Sequence, residues 1–554
     1  MLLAAKSRHL PSQVESCKGK EFAHARRFAI SVVGRLNPFV LPRREWPDVT
    51  GGEEGCQLHS GKQILMEKTL RRLTFPPITI LCLGLGFSVF HAGLRPPVAA
   101  AQATPSLARI SETAITPTPT IPAPLLPGTT MYVAKRGDTV ATVAHHFVAQ
   151  TSYLTSTELI QAIRKANGDF PGTYFKNGQS VVVPGILAAP IVEKSIPVSR
   201  DFEVRAVYLT GLMAGSDHGL RIIRRWRELG GNAVVFDVKD SDGTINVPFD
   251  YPLAGAHHVP IRDLPKFTQF LHSQGMHAIA RVAIFRDERL VVAHPELAVK
   301  SRRTGEPWRE NGKLVWTDPS QPKVQEYDIA LAKKAAEAGA DEIQFDYVRF
   351  PAEGDQKDAS FYFQTKHPEW HRSDVITDFL EHAYGELHLT GALLSLDVFG
   401  IMAWQRPVDL AHTGQDIVGM AKYCDVLSPM IYPSHFFGMD GIAHPGDAPE
   451  HFIGESMDRF IKITNGSGVV IRPWLQAFAW RTKTYSPKYI EAQVLTAKEK
   501  GGIGFLFWNA NNDYSKPYTA MPEMRAAKEK YLRGDELPVV TRADAKSAEA
   551  VATK

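Results

Sequence analysis

The chain has 554 residues, 44% of them hydrophobic and 22% charged, with a formal net charge of +4. One domain takes roughly 100–200 residues and a barrel about 250 or more, so one large domain with one small companion is the natural division. The small charge excess, with no basic block interleaved with aromatics, gives no ground for a nucleic-acid partner. Four cysteines (Cys17, Cys56, Cys82 and Cys424) without a CxxC spacing argue against a structural zinc site, and no cofactor or metal is expected.

Residues 1–65 carry no sustained periodicity. A basic stretch, Met66-Glu-Lys-Thr-Leu-Arg-Arg72, then leads into an apolar run from Phe75 to Ala92 and a small-x-small site at Ala101-Gln-Ala103. This is the order of a secretory signal, which belongs at a protein's start. Translation is therefore expected to begin at Met66, with 1–65 a mis-annotated extension and 66–103 a signal peptide. The alternative for 66–103 is an uncleaved membrane anchor, since the run is near the lower limit for spanning. Leu81 before Cys82 is not small, which argues against a lipoprotein site. Cleavage would leave Cys424 alone, so the mature chain would be held by its core rather than by a disulfide. Residues 104–129 are rich in Pro and Thr and read as an extended linker.

A small module is expected over 130–185, in the order strand, helix, helix, strand. Gly137-Asp138-Thr139 reads as a turn and N-cap before a helix at Val140–Phe147, and Asn177-Gly178 as a turn before the last strand. The runs Tyr132-Val-Ala-Lys-Arg-Gly-Asp-Thr139, Ala166-Asn-Gly168 and Asn177-Gly-Gln-Ser-Val-Val-Val-Pro184 resemble the LysM family, with a longer middle at 149–156. That resemblance implies a module that binds N-acetylglucosamine-containing glycans, chiefly peptidoglycan or chitin. The alternative is an adaptor that keeps the fold without the affinity.

From 203 to 533 strands and helices alternate. Strands are predicted at Arg205–Thr210, Asn232–Val238, Met276–Ile284, Glu342–Val348, Ala392–Val398, Val426–Ile431, Val469–Gln476 and Ile503–Trp508. Helices are predicted at His218–Leu229, Ile261–Gln274, Pro322–Ala338, Ser373–Leu387, Gln415–Lys422, Pro449–Asn465, Pro487–Lys500 and Met521–Tyr531, with a flexible tail over 534–554. Continuous apolar strands such as Ala233-Val-Val-Phe236 imply burial on both faces, as in a parallel sheet under helices. The expected fold is α/β, a (β/α)8 TIM barrel preceded by a small α+β module. A doubly wound open sheet is the competitor, but no Gly-rich phosphate loop follows the first strand.

Chemistry in such barrels sits at the C-terminal strand ends. Asp346 and Asp397 lie there on adjacent strands inside apolar sequence, where a carboxylate is costly unless paired or used. Two carboxyls flanking a bond are what glycoside hydrolysis requires. The alternative is a structural ion pair between one of them and Arg349 or Lys239. Asp237, Lys239, Arg281 and Arg349 are candidates to orient charge; Trp404, Tyr432, Gln476, Trp508 and Asn509 are candidates to hold sugar. The histidines lack a metal-hydrolase spacing.

The stretches F-D-V-K-D, D-E-I-Q-F-D-Y-V-R-F-P, L-S-L-D-V-F-G, S-P-M-I-Y-P-S-H-F and G-F-L-F-W-N-A together resemble the glycosyl hydrolase domain of secreted bacterial proteins. The resemblance implies a barrel distantly similar to amylase-like and chitinase-like hydrolases. Asp341 and Asp346 match part of the chitinase motif D-x-x-D-x-D-x-E, but its final Glu is missing, which argues against substrate-assisted chemistry. The amylase-like arrangement, with an Asp nucleophile on strand four and an acid on strand five, fits Asp346 and Asp397. The expected activity is that of a cell-envelope or secreted glycosidase acting on a polysaccharide or peptidoglycan. The membrane would be met only through the N-terminal segment, if uncleaved. A non-catalytic glycan-binding or scaffold protein is the alternative.

Overall fold

The computed structural model describes residues 128–526. The expectations for 1–65, the export segment 66–103, nearly all of the 104–129 linker and the 534–554 tail lie outside the described residues.

The small module runs β1 (Thr129–Val133), α1 (Val140–Phe147), α2 (Ser156–Ala166), β2 (Ser180–Pro184), with β1 and β2 antiparallel. Its turn residues act through specific hydrogen bonds. Tyr132 Oη donates to Asp138 Oδ2 at 2.7 Å, and Thr139 closes a capping box with Thr142 at the start of α1. Asn167 ends α2 and pins it to β2, donating to Val182 O at 2.8 Å and accepting from Val182 N at 2.9 Å. Val143, Ala144, Leu159, Ile163, Val181 and Val183 form the core between helices and sheet. The longer middle contains one 3-10 turn, Val148–Gln150.

The barrel is built from β3 (Val204–Leu209), β4 (Ala233–Lys239), β5 (His277–Ala283), β6 (Glu342–Asp346), β7 (Leu393–Phe399), β8 (Val426–Met430), β9 (Val470–Ile471 and Trp474–Gln476) and β10 (Gly504–Trp508). Each strand pairs in parallel with the next, and β10 returns to β3, so the sheet closes without an edge. Helices follow the strands: α3 (Asp217–Leu229), α4 (Leu264–Ser273), α5 (Pro322–Glu337), α6 (Arg372–His388), α7 (Pro407–Thr413), α8 (Pro449–Ile463), α9 (Pro487–Glu499) and α10 (Ser515–Ala526). This is a (β/α)8 barrel. Alternation along each strand separates two cores. Val207, Val234, Phe236, Ala280, Phe345, Leu396 and Val398 pack outward under the helices, whereas Val204, Ala206, Tyr208, Ala233, Val235, Ile279, Trp474 and Leu506 fill the interior.

Three elements differ from expectation. The strand predicted at Val469–Gln476 is broken at Arg472-Pro473, because Pro473 has no N–H for the ladder. The helix predicted at Gln415–Lys422 is replaced by α7 and a single turn at Ile417–Met420, separated by Gly414 at φ 74°. The final helix begins at Ser515 rather than Met521.

The floor of the barrel is ionic. Arg472 Nη1 donates to Glu342 Oε2 at 2.8 Å, and His277 Nε2 lies 3.0 Å from the same oxygen. The ring of Phe202, on the approach to β3, packs edge-on against His277. The module also touches the barrel wall. Thr155 Oγ1 donates to Asp217 Oδ1 at 2.6 Å at the start of α3, Arg224 pairs with Glu158 at 2.6 Å, and Lys266 Nζ donates to Val148 O at 3.2 Å. Among the described residues no helix is long and apolar enough to cross a membrane.

Candidate active site at the barrel mouth

Period-two alternation carries Tyr208, Asp237, Arg281, Asp346, Asp397 and Trp474 onto the inward face. In the strand registers Asp237 lies opposite Arg281, Ala283 opposite Asp346, and Ser428 opposite Asp397. Arg281 organises the cluster. Its Nη1 donates to Asp237 Oδ1 at 2.5 Å and its Nη2 to Asp346 Oδ2 at 2.6 Å. Its Nε lies 3.2 Å from Asp346 Oδ2 and 4.0 Å from Asp397 Oδ2. The two predicted carboxyls therefore share one guanidinium. Tyr208 Oη donates to the free oxygen of Asp237 at 2.5 Å, and Trp474 Nε1 donates to Asp397 Oδ1 at 2.7 Å.

The backbone after Asp346 is set for this geometry. Tyr347 has φ 58°, a left-handed conformation uncommon outside glycine, and its N–H donates to Asp346 Oδ1 at 2.6 Å. Phe285, Arg481 and Asn512, beyond the ends of β5, β9 and β10, are likewise left-handed at φ 63°, 50° and 54°. Such strain collects at functional sites.

The carboxyls have unlike environments. Burial pushes the Asp397 carboxyl well above the usual range, and the neighbouring Asp346 charge pushes the same way, against smaller opposing effects of Arg281 and Trp474. Burial also raises Asp237, to about 7, with the Arg281 charge opposing. Asp346 instead accepts two N–H groups from Arg281.

An aromatic wall rises from the cluster on the β8–β10 side. Trp508, Tyr432 and Phe478 pack with ring centroids 5.3–5.8 Å apart. His435 continues the wall to Trp480 at 5.1 Å, and Arg481 lies over the Trp480 ring at 4.5 Å. Burial depresses His435 to about 3, so its imidazole is neutral and belongs to the apolar surface.

Of the residues singled out in the sequence, Asp237, Arg281, Asp346, Asp397, Tyr432 and Trp508 come together. Lys239 does not. A register shift between Asp237 and Lys239 turns it out of the interior, where its ammonium is buried between Asp287 and Asp328, 2.9 Å from each. Gln476 is also committed elsewhere: it accepts from Ser434 N at 3.2 Å and donates to Phe478 O and Thr482 Oγ1 at 2.9 Å, bracing the loops that carry the wall. Asn509 braces its own turn, donating to Ala477 O at 2.6 Å and Asp513 O at 3.0 Å. Trp404 packs against Phe436 and under Arg459. Arg349 pairs with neither carboxyl; its guanidinium lies among the rings of Trp316, Tyr347 and Phe399.

Sequence reasoning passed over Tyr208, Trp474, Phe478 and Trp480. Strand periodicity offered a signal for two of them, since Tyr208 follows Val204 and Ala206 at two-residue steps, and Trp474 follows Arg472. The ring positions of Phe478 and Trp480 depend on loop geometry.

A family model described as "putative glycosyl hydrolase domain" matches residues 206–514, more than half of the chain. No curated protein sequence matches it. Among solved structures, a hypothetical protein from Ruminiclostridium thermocellum is 36% identical over 35% of this chain and 97% of that one, with a TM-score of 0.31. The PgaB (BpsB) glycoside hydrolase domain from Bordetella bronchiseptica is 17% identical over 58% and 99%, with a TM-score of 0.45. The spore cortex-lytic enzyme SleL from Bacillus megaterium is 12% identical over 73% and 86%, with a TM-score of 0.36. The matched span begins in β3 and ends beyond β10, enclosing the whole carboxyl cluster, and the chain belongs to this family of glycosyl hydrolase domains.

Proposed function

We propose that the protein is an exported glycosidase that cleaves a polysaccharide of the cell envelope or its surroundings, with Asp346 as nucleophile or base and Asp397 as general acid. The observation that carries this reading is the unlike pair on neighbouring strand ends: Asp346 held by Arg281, Asp397 sealed and pushed toward its protonated form. Divergent environments for two nearby carboxyls are how one site supplies both an acid and a base. Trp474 occupies Asp397 Oδ1, which leaves Oδ2 to carry the proton. Asp237 and Tyr208 fix Arg281 from the far side, and Tyr432, Phe478 and Trp508 offer rings for sugar faces. Turnover of a panel of envelope and storage polysaccharides by residues 104–554 tests this. Reducing ends should appear with at least one of them, and their absence throughout would favour the rival reading of a glycan-binding scaffold. One observation supports that rival: two N–H groups of Arg281 on Asp346 also describe a structural ion pair.

Export rests on the segment 66–103, and N-terminal sequencing of the secreted protein should read from near Thr104. The module over 130–185 is proposed as a LysM-type glycan anchor for peptidoglycan or chitin. Its support is the Tyr132–Asp138 and Asn167–Val182 bonds, which give the quoted motifs a structural reason. The full protein should sediment with insoluble wall material, and a protein lacking residues 130–185 should not. Equal retention of both proteins would point to the adaptor reading.

A further inference from the structure

Two arginines at the mouth are not spent on the catalytic carboxyls. Arg349 follows Asp346 by three residues and is only 6% exposed. Among the described residues its guanidinium makes one hydrogen bond, from Nη1 to Phe350 O at 2.9 Å. The rest of its surroundings are rings, with Phe399 at 4.5 Å, Trp316 at 4.8 Å and Tyr347 at 5.4 Å from the guanidinium carbon. Arg286, half-buried, lies 5.6 Å from the same Tyr347 ring and donates to Ser241 O. Its backbone is bridged to that of Trp316. Among the described residues no carboxylate stands within 4.0 Å of either guanidinium. Glu310 and Asp346 act on Arg349 only from beyond that distance, and Arg286 opposes its charge.

A buried cation with no carboxylate in contact is costly. Ring faces offset part of that cost, but use none of the in-plane N–H donors. A guanidinium presents five donors in a planar fork suited to carboxylate or phosphate-like oxygens. The position is also set by the catalytic strands. Phe399 stands two residues beyond Asp397 on β7 and so shares its face, and Tyr347 directly follows Asp346. Any anion held here would lie within reach of the Asp346 charge, which acts on Arg349.

We propose that Arg349 and Arg286, arranged around Tyr347, form an anion subsite, and that the polysaccharide taken at this mouth carries acidic groups, either uronic carboxylates or sulfate esters. The inference rests on the reading of the mouth as a glycan site, but it is tested by binding rather than by turnover.

The probes are galacturonate and glucuronate oligosaccharides, the same oligosaccharides after carboxyl reduction, and a sulfated galactan oligosaccharide, titrated into the full protein by calorimetry. The wild type should bind at least one acidic probe about tenfold or more tighter than its neutral counterpart, the scale of one charge-assisted hydrogen bond. Rising salt should weaken only the acidic arm. Arg349→Gln and, independently, Arg286→Gln should each abolish the preference, while Arg349→Lys should restore part of it. Arg286 is half-buried, so its variant keeps the test open if Arg349→Gln fails to fold. The carboxylate and sulfate arms identify the source of the charge. Acidic probes that bind with this preference but are never cleaved would uphold the subsite and count against the hydrolase reading. Equal binding of acidic and neutral probes, no binding of either, or a preference that survives in both folded Gln variants overturns the proposal.

Discussion

Asp346→Asn and Asp397→Asn should each lower turnover by about a hundredfold or more, the scale of lost general acid–base catalysis, yet shift stability in opposite directions. Asp346 takes two hydrogen bonds from Arg281. Neutralising it leaves the buried guanidinium short of charge, and breaking a buried pair in this way costs about 3–5 kcal/mol. Asp397 is pushed toward the neutral acid by burial, and Asn is close in shape to that acid while still accepting from Trp474 Nε1. The sign follows from linkage. A carboxyl whose pKa is raised on folding adds stability below its unfolded value and loses it as pH climbs toward the folded one. Asp397→Asn should therefore match the wild type in acid and become relatively more stable as pH rises through the interval above the ordinary carboxylate range. Urea titrations across pH, beside rate measurements at matched folded fraction, check both. Two variants with near-normal turnover would remove the catalytic assignment, and two that unfold alike would make the pair structural.

Glu342→Gln, at the opposite end of the barrel, should destabilise by about 3–5 kcal/mol, as much as Asp346→Asn, but with the turnover of the remaining folded protein intact. Burial alone would push the Glu342 carboxyl up, but the Arg472 charge and the His277 hydrogen bond outweigh it and bring the group from 4.5 down to about 2. Its contribution is thus complete above the unfolded carboxylate value and is lost as pH falls from about 4.5 toward 2. The wild type should lose stability steeply across that window, and the Gln variant should show a flatter acid limb from a lower plateau. Equal acid limbs would show that Arg472 is neutralised elsewhere.

Much of this fold is legible in the sequence, because a strand buried on both faces must be apolar throughout. Ala233-Val-Val-Phe236 and Gly504-Phe-Leu-Phe507 announce themselves for that reason. The carboxyls were legible for the complementary reason that Asp346 and Asp397 interrupt such runs. What escaped depends on distance or on local geometry. Trp474 meets Asp397 across 77 positions of sequence, and only barrel closure brings them together. A single irregularity in register decides that Asp237 faces the mouth while Lys239 faces Asp328. Gln476 and Asn509 look like sugar-binding amides until the surrounding loop backbones claim their donors and acceptors.

The left-handed residues at the mouth have a kinetic meaning. Phe285, Tyr347, Arg481 and Asn512 each hold a conformation that costs of order 1–3 kcal/mol and persists only because the scaffold over-determines it. A rim fixed in this way cannot relax without forfeiting the contacts that hold it, so it behaves as a mould more than as a clamp. Little conformational entropy is left to lose when a chain of sugars settles there, and capture should depend on encounter and orientation rather than on a slow closing step.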